Sequence, residues 1–196
     1  MKFCFEIYYF DEDEYGFPVK FEGTSEFIAM DSRSSLNDVS LFIGSLLSFN
    51  EMVLGEEFVS SLSKEEEMAL VGGLLFEKNG KSIGPSCCAD IQDWKNVASG
   101  IKNRKSSWLG HDPSSWFEFK GENITLWSDE PGKENIKSIT FSQSEFDTEL
   151  ETAVLEDKGF IEVVNKWASI NYMENPKSLI QGICGFLSIN ASNNGN

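Results

Sequence analysis

Hydrophobic positions in this chain recur with two different periods, and the switches between them mark out its elements. Residues 3–10 are dense in aromatic and β-branched side chains, as a strand requires. The acidic run Asp11-Glu12-Asp13-Glu14 with Gly16 and Pro18 predicts a turn, and residues 19–30 predict a second strand, paired with the first as a hairpin. The period then lengthens. Leu36, Val39, Phe42, Ile43, Leu46 and Leu47 fall at helical spacing over 36–47, behind Ser35 and Asp38, which offer acceptors to the orphan amides of a first turn. Ser63 and Glu66 repeat that capping pattern before Met68, Ala69 and Leu70, predicting a short helix that Gly72-Gly73 ends.

Period two returns around Asn79-Gly80, the strongest hairpin signal in the chain, with strands at 74–76 and 81–83. Residues 90–103 predict a helix capped by Asp90, with Ile91, Trp94, Val97, Ala98 and Ile101 on one face. Segments 116–119, 124–127 and 136–141 predict an antiparallel meander, turning at Gly121 and at Glu130-Pro131-Gly132. Ser144 with Asp147 predicts the cap of a helix whose stripe, from Phe146 through Leu150, Val154, Ile161 and Val164 to Trp167, runs across Gly159. Pro176 opens a last helix bearing Leu179, Ile183, Cys184 and Leu187, and residues 190–196 are small, polar and expected to fray. Hairpins first, a meander in the middle and helices last make the class α+β: an antiparallel sheet packed against several helices, with a helical C-terminus. Neither repeat nor linker cuts the chain, so one domain over 1–189 is expected, with 190–196 as a tail.

Charge changes this picture most. Sixteen basic residues against 32 acidic ones give a formal charge of −16. Such a surface repels phosphate backbones and anionic membranes, so neither nucleic acid nor membrane is an expected partner. Solubility alone accounts for acidity of this size; the functional alternative is attraction to a basic protein. The clusters Asp11, Glu12, Asp13 and Glu14, then Glu56 and Glu57, then Glu65, Glu66 and Glu67 are the candidate partner-binding residues.

Compartment follows from the termini and the thiols. No apolar h-region stands at the N-terminus and no apolar run approaches the ~18 residues that span a bilayer. The cysteines are Cys4, Cys87, Cys88 and Cys184, two of them adjacent, which is no disulfide framework. Reduced thiols in the cytoplasm are expected, and the sequons at Asn123 and Asn190 then carry no meaning.

The densest chemistry lies between Gly84 and Trp116. Here stand the chain's one histidine, His111, with Asp112; Cys87 and Cys88; Asp90 and Asp93; and Trp94, Trp108 and Trp116. A nucleophilic reading takes Cys87 or Cys88 at a helix start, where the thiol pKa falls, with His111 as base oriented by Asp112. A zinc reading joins Cys87, Cys88 and His111, but zinc ligands are usually separated by two to four residues, and no second Cys or His pair exists; no metal and no cofactor are expected. Asp90 and Asp93 read as helix-capping groups. The reading preferred on composition is structural. Trp94 packs its helix on the sheet, Trp108 and Trp116 flank a loop fixed by Gly110 and Pro113, and His111 and Asp112 hydrogen-bond that loop closed.

The same residues carry a resemblance. Ser86-Cys87-Cys88-Ala89-Asp90-Ile91-Gln92-Asp93-Trp94 followed by Trp108-Leu109-Gly110-His111-Asp112-Pro113-Ser114-Ser115-Trp116 resembles a pattern of uncharacterised bacterial proteins. That pattern has three cysteines in its turn. This chain has two followed by Ala89, a departure that counts against metal. Such small acidic proteins are similar to immunity proteins of polymorphic toxin systems. The resemblance implies a protein that binds and neutralises a basic partner such as a toxin domain, with no catalytic residue; the alternatives are a small enzyme using Cys87 or Cys88 with His111-Asp112, or an interaction domain of another role.

Overall fold

The computed structural model describes residues 1–8, 17–20, 27–62, 64, 68–172 and 174–189. Its elements are β1 (Lys2–Glu6), β2 (Phe27–Met30), α1 (Leu36–Phe49), α2 (Glu56–Ser61), β3 (Gly72–Lys78), β4 (Lys81–Ile83), a 3-10 turn (Ile91–Asp93), α3 (Trp94–Lys102), β5 (Trp116–Lys120), β6 (Asn123–Trp127), β7 (Ser138–Ser142), α4 (Gln143–Asn171) and α5 (Pro176–Phe186). Two antiparallel sheets, ordered β2-β1-β3-β4 and β5-β6-β7, together with these helices make an α+β protein with a helical C-terminus. The expected tail, 190–196, lies outside the described residues, as does most of the connection from β1 to β2. Where the sequence offers no linker, the fold divides into two compact units. One is Met1–Cys4 with Val71–Val154; the other is Phe5–Leu70 with Leu155–Asn196.

In the first unit the meander forms as its alternation dictates. Ile124 and Leu126 of β6 are buried between less buried neighbours, and they pair with Phe141 and Ile139 of β7. On the other face the hydroxyls of Thr125 and Thr140 meet at 3.0 Å. Asn79 and Gly80 close β3 onto β4 with φ of +53° and +74°, as a two-residue hairpin needs. The core is aromatic: Phe76 meets Phe117 edge-on at 5.8 Å and stacks on Phe141 at 6.1 Å, which stacks on Phe146 at 5.7 Å. The expected cap of α4 slips by two residues. Ser142 and Glu145 form the reciprocal capping pair, Ser142 Oγ accepting from Glu145 N–H at 3.1 Å and Glu145 accepting from Ser142 N–H at 2.7 Å.

In the second unit α1 is buried continuously from Val39 to Leu47. Its Ser35–Asp38 capping box is present as expected. Phe42 meets Phe5 and Phe160 edge-on, each at 5.4 Å. Trp167 is fully buried, meets Phe17 at 5.0 Å and donates its indole N–H to Ser40 Oγ at 2.8 Å. Gly159 lets α4 pass Ser32, whose Cβ would lie 2.6 Å from any Cβ at that position.

Two expectations for this stretch fail. Residues 68–70 are not helical. Asn50 holds them open, accepting from Ala69 N–H at 3.0 Å and donating to Ala69 O at 2.8 Å, while Met68 and Leu70 turn inward. The helix is instead α2, begun at Gly55 without a side-chain cap and anchored by buried Phe58. Gly72-Gly73 opens β3 rather than ending a helix.

Candidate functional site

Every residue of the candidate centre belongs to the first unit. Ser86-Cys87-Cys88-Ala89 is a tight turn closed by Ala89 N–H on Ser86 O at 3.1 Å. Its third position has φ +66°, the left-handed region that turns of this kind normally fill with glycine or asparagine, and here it is Cys88. Facing it, the segment 109–111 pairs with 86–87 as a short antiparallel bridge. Ser86 N–H donates to Leu109 O at 3.0 Å and His111 N–H to Cys87 O at 3.1 Å.

Gly110 makes that approach possible. Its φ is +100°, and a Cβ there would stand 2.6 Å from Cys87 O and 2.8 Å from Ser86 Cβ. Gly110→Ala is therefore expected to cost about 2 kcal/mol, left-handed strain plus a backbone clash. Gly121→Ala, at φ +55° in open space, should cost about 1 kcal/mol from strain alone. Urea denaturation of the two variants measures the difference, and equal losses would show that the close approach contributes nothing.

The bridge brings together what the sequence separates. A ligating atom from each of Cys87, Cys88 and His111 lies within 4.8 Å of the other two, and all three residues are exposed. Cys87 Sγ also approaches His111 O at 3.6 Å. The His111 ring sits edge-on against half-exposed Trp108 at 5.4 Å and borders an open hollow of about 600 Å³ that Trp116, Ser114 and Glu130 also line.

The other candidates serve the scaffold. Asp90 caps the 3-10 turn by accepting from Gln92 N–H at 2.8 Å, Asp93 accepts from the Asn96 amide at 2.8 Å, and Trp94 meets Phe3 edge-on at 5.4 Å. Trp116 stacks on Trp127 at 6.2 Å and donates its indole N–H to Asp129 O at 3.1 Å. His111 helps close the loop through its backbone N–H alone, and the side-chain closures come from other groups than those expected. Ser86 Oγ donates to Pro113 O, and Ser114 N–H donates to Asp129 Oδ1 at 3.2 Å, while the side chains of His111 and Asp112 stand exposed.

Comparison with protein-family models, curated proteins and solved structures finds no match. Chemistry here rests on the residues alone. The nucleophilic reading needs a lowered thiol, and Cys87 is shifted the other way. Desolvation raises its pKa first and the neighbouring Cys88 thiol adds to it, while His111 O opposes. Neither cysteine begins a helix, because the first helical residue is Ile91. Cys4 and Cys184 are buried; burial and the Glu77 charge push Cys4 up to about 12, and burial and then the Asp157 charge raise Cys184.

Among the acidic candidates, Asp11, Glu12, Asp13, Glu14, Glu65, Glu66 and Glu67 lie outside the described residues. Glu56 and Glu57 are exposed in the first turn of α2. With exposed Glu51 they make no ion pair among the described residues, whereas Glu77, Glu118, Glu145 and Glu149 are paired with Lys2, Lys120, Lys78 and the N-terminal amine. Those pairs include three acids lining a cleft of about 350 Å³ floored by Phe76, Phe141 and Phe146. No described helix is long and apolar enough to cross a membrane.

Sequence reasoning missed Asp157, which is 1 % exposed and has one carboxylate oxygen without a hydrogen-bond partner. The signal was available: Ala153, Asp157, Phe160, Val164 and Trp167 form one helical stripe, with an acid at a core position.

Proposed function

We propose that this protein is an immunity-type binding module that engages and neutralises a basic protein partner, such as a toxin domain. The observation that carries the reading is the pairing of exposed acids with exposed apolar side chains on one short segment. Glu51, Glu56 and Glu57 are exposed and without ion pairs among the described residues, on the stretch that also exposes Phe49 and Val53. Phe49 in turn packs edge-on against exposed Tyr8 at 5.2 Å. Acids that no internal lysine satisfies steer a cationic partner, and neighbouring apolar side chains supply contacts that hold it once docked. A formal charge of −16 extends the steering beyond this segment.

The test is co-expression with the product of the adjacent reading frame. Growth should be restored by the native chain, and purified proteins should associate at a rate that falls steeply with salt. Glu51→Lys/Glu56→Lys/Glu57→Lys should slow association on the order of tenfold or more while leaving the fold unchanged. A gene standing alone, or an association rate indifferent to salt and to the triple variant, would remove the basis for this reading.

A further inference from the structure

We infer that Cys87, Cys88 and His111 form a binding site for a thiophilic d10 cation, Zn²⁺, held by two thiolates and one imidazole with a fourth position open to solvent. The site is separate from the acidic segment and stands or falls without it.

Ligand chemistry comes first. Thiolate and imidazole are the donors that borderline-soft zinc prefers, and two sulfurs with one nitrogen match the three protein ligands of open zinc sites. Tetrahedral coordination with Zn–S near 2.3 Å and Zn–N near 2.0–2.1 Å places ligand atoms roughly 3.4–3.8 Å apart. The three donors already lie within 4.8 Å of one another. All three side chains are exposed, so small rotamer adjustments close the difference without disturbing a core.

Backbone geometry answers the objection that adjacent cysteines strain a chelate. In an extended strand neighbouring side chains point to opposite faces. Cys88 is not extended: its φ of +66° breaks that alternation and puts its sulfur on the side of Cys87 and His111. Cysteine thus occupies a turn position that favours glycine or asparagine. Gly110 supplies the close approach of His111 to Cys87. Neither ring nitrogen of His111 is hydrogen-bonded among the described residues, so both stay available, while Trp108 holds the ring edge-on. On binding, each thiol gives its proton to solvent as its sulfur–metal bond forms.

The experiment uses the full chain, kept reduced, with Co²⁺ as spectroscopic probe and Zn²⁺ as competitor. One Co²⁺ per chain is expected, with thiolate-to-cobalt charge-transfer absorption and the intense visible bands of tetrahedral cobalt, both erased by Zn²⁺. Cys87→Ser and Cys88→Ser should each weaken binding by at least the roughly 10–100-fold that loss of an outer-shell partner costs. His111→Ala should weaken binding while keeping the charge-transfer band. Buried Cys4 and Cys184 make the Cys87→Ser/Cys88→Ser double variant a true blank. X-ray absorption of the zinc-loaded native chain gives a readout that needs no variant: two sulfurs and one nitrogen are expected. An all-oxygen shell, an octahedral cobalt spectrum, or a charge-transfer band undiminished in the double variant would overturn the site.

Discussion

Asp157→Asn is expected to leave stability nearly unchanged at pH 4 and to raise it progressively up to pH 8. Burial lifts the Asp157 carboxyl from 3.8 to about 8, and one of its oxygens has no partner. The folded chain therefore holds a proton there that the unfolded chain releases above about pH 4. Linkage fixes the sign: where the native state binds more protons, stability falls as pH rises. The loss accumulates between roughly 4 and 8 and is complete above 8, where the carboxylate is charged in both states. At 1.36 kcal/mol per pKa unit, a shift of about 4 units sets a ceiling on the order of 5 kcal/mol. Asparagine keeps the shape and cannot ionise, so the difference between the two chains isolates this group from every other carboxylate. Urea denaturation of both from pH 4 to 9 makes the comparison, and parallel curves would mean that Asp157 is not held neutral.

Trp167→Ala is expected to cost about 3–5 kcal/mol, the range for emptying a buried aromatic site. The side chain is fully buried, packs edge-on against Phe17, and its indole N–H reaches Ser40 Oγ at 2.8 Å. Ser40→Ala removes far less volume but strands that N–H, which costs about 1–3 kcal/mol. In the Trp167→Ala background the same serine change should be nearly silent, because the donor is gone. A double-mutant cycle on denaturation midpoints reads the coupling. Additive losses would show that the hydrogen bond contributes nothing beyond packing.

Elements whose local signals agree with one another were legible in the sequence. α1 has periodicity and a reciprocal cap, β3–β4 has Asn79-Gly80, and β5–β7 has clean alternation with turn residues between. α2 was not legible: six residues without a side-chain cap are held by burial of Phe58, a tertiary effect with no local trace. Residues 68–70 misled because Asn50, 19 positions away, bonds both backbone groups of Ala69 in a non-helical course; Ser63 and Glu66, whose pattern suggested the helix, lie outside the described residues. At the candidate site the residue types were visible but their meeting was not. That meeting depends on the positive φ of Cys88 and the missing Cβ of Gly110, which together bring a thiol pair to an imidazole 23 positions downstream. Adjacent cysteines fall outside the usual zinc spacing, and spacing alone carries no trace of the backbone turn that brings both thiols to one side.

The division of the chain sets an order of events during translation. The first unit is complete once Val154 has been made, but the second waits for Leu155–Asn196 although its opening segment, Phe5–Leu70, is synthesised early. Phe42 and Ser40 of α1 must stand without Phe160 and Trp167 for on the order of ten seconds at ordinary elongation rates. A nascent chain released or stalled between Leu70 and Leu155 therefore carries α1 with Phe5 to pack on Phe42 but without Phe160 or Trp167. During that stretch of synthesis the partly made second unit lacks the contacts that complete the core around α1.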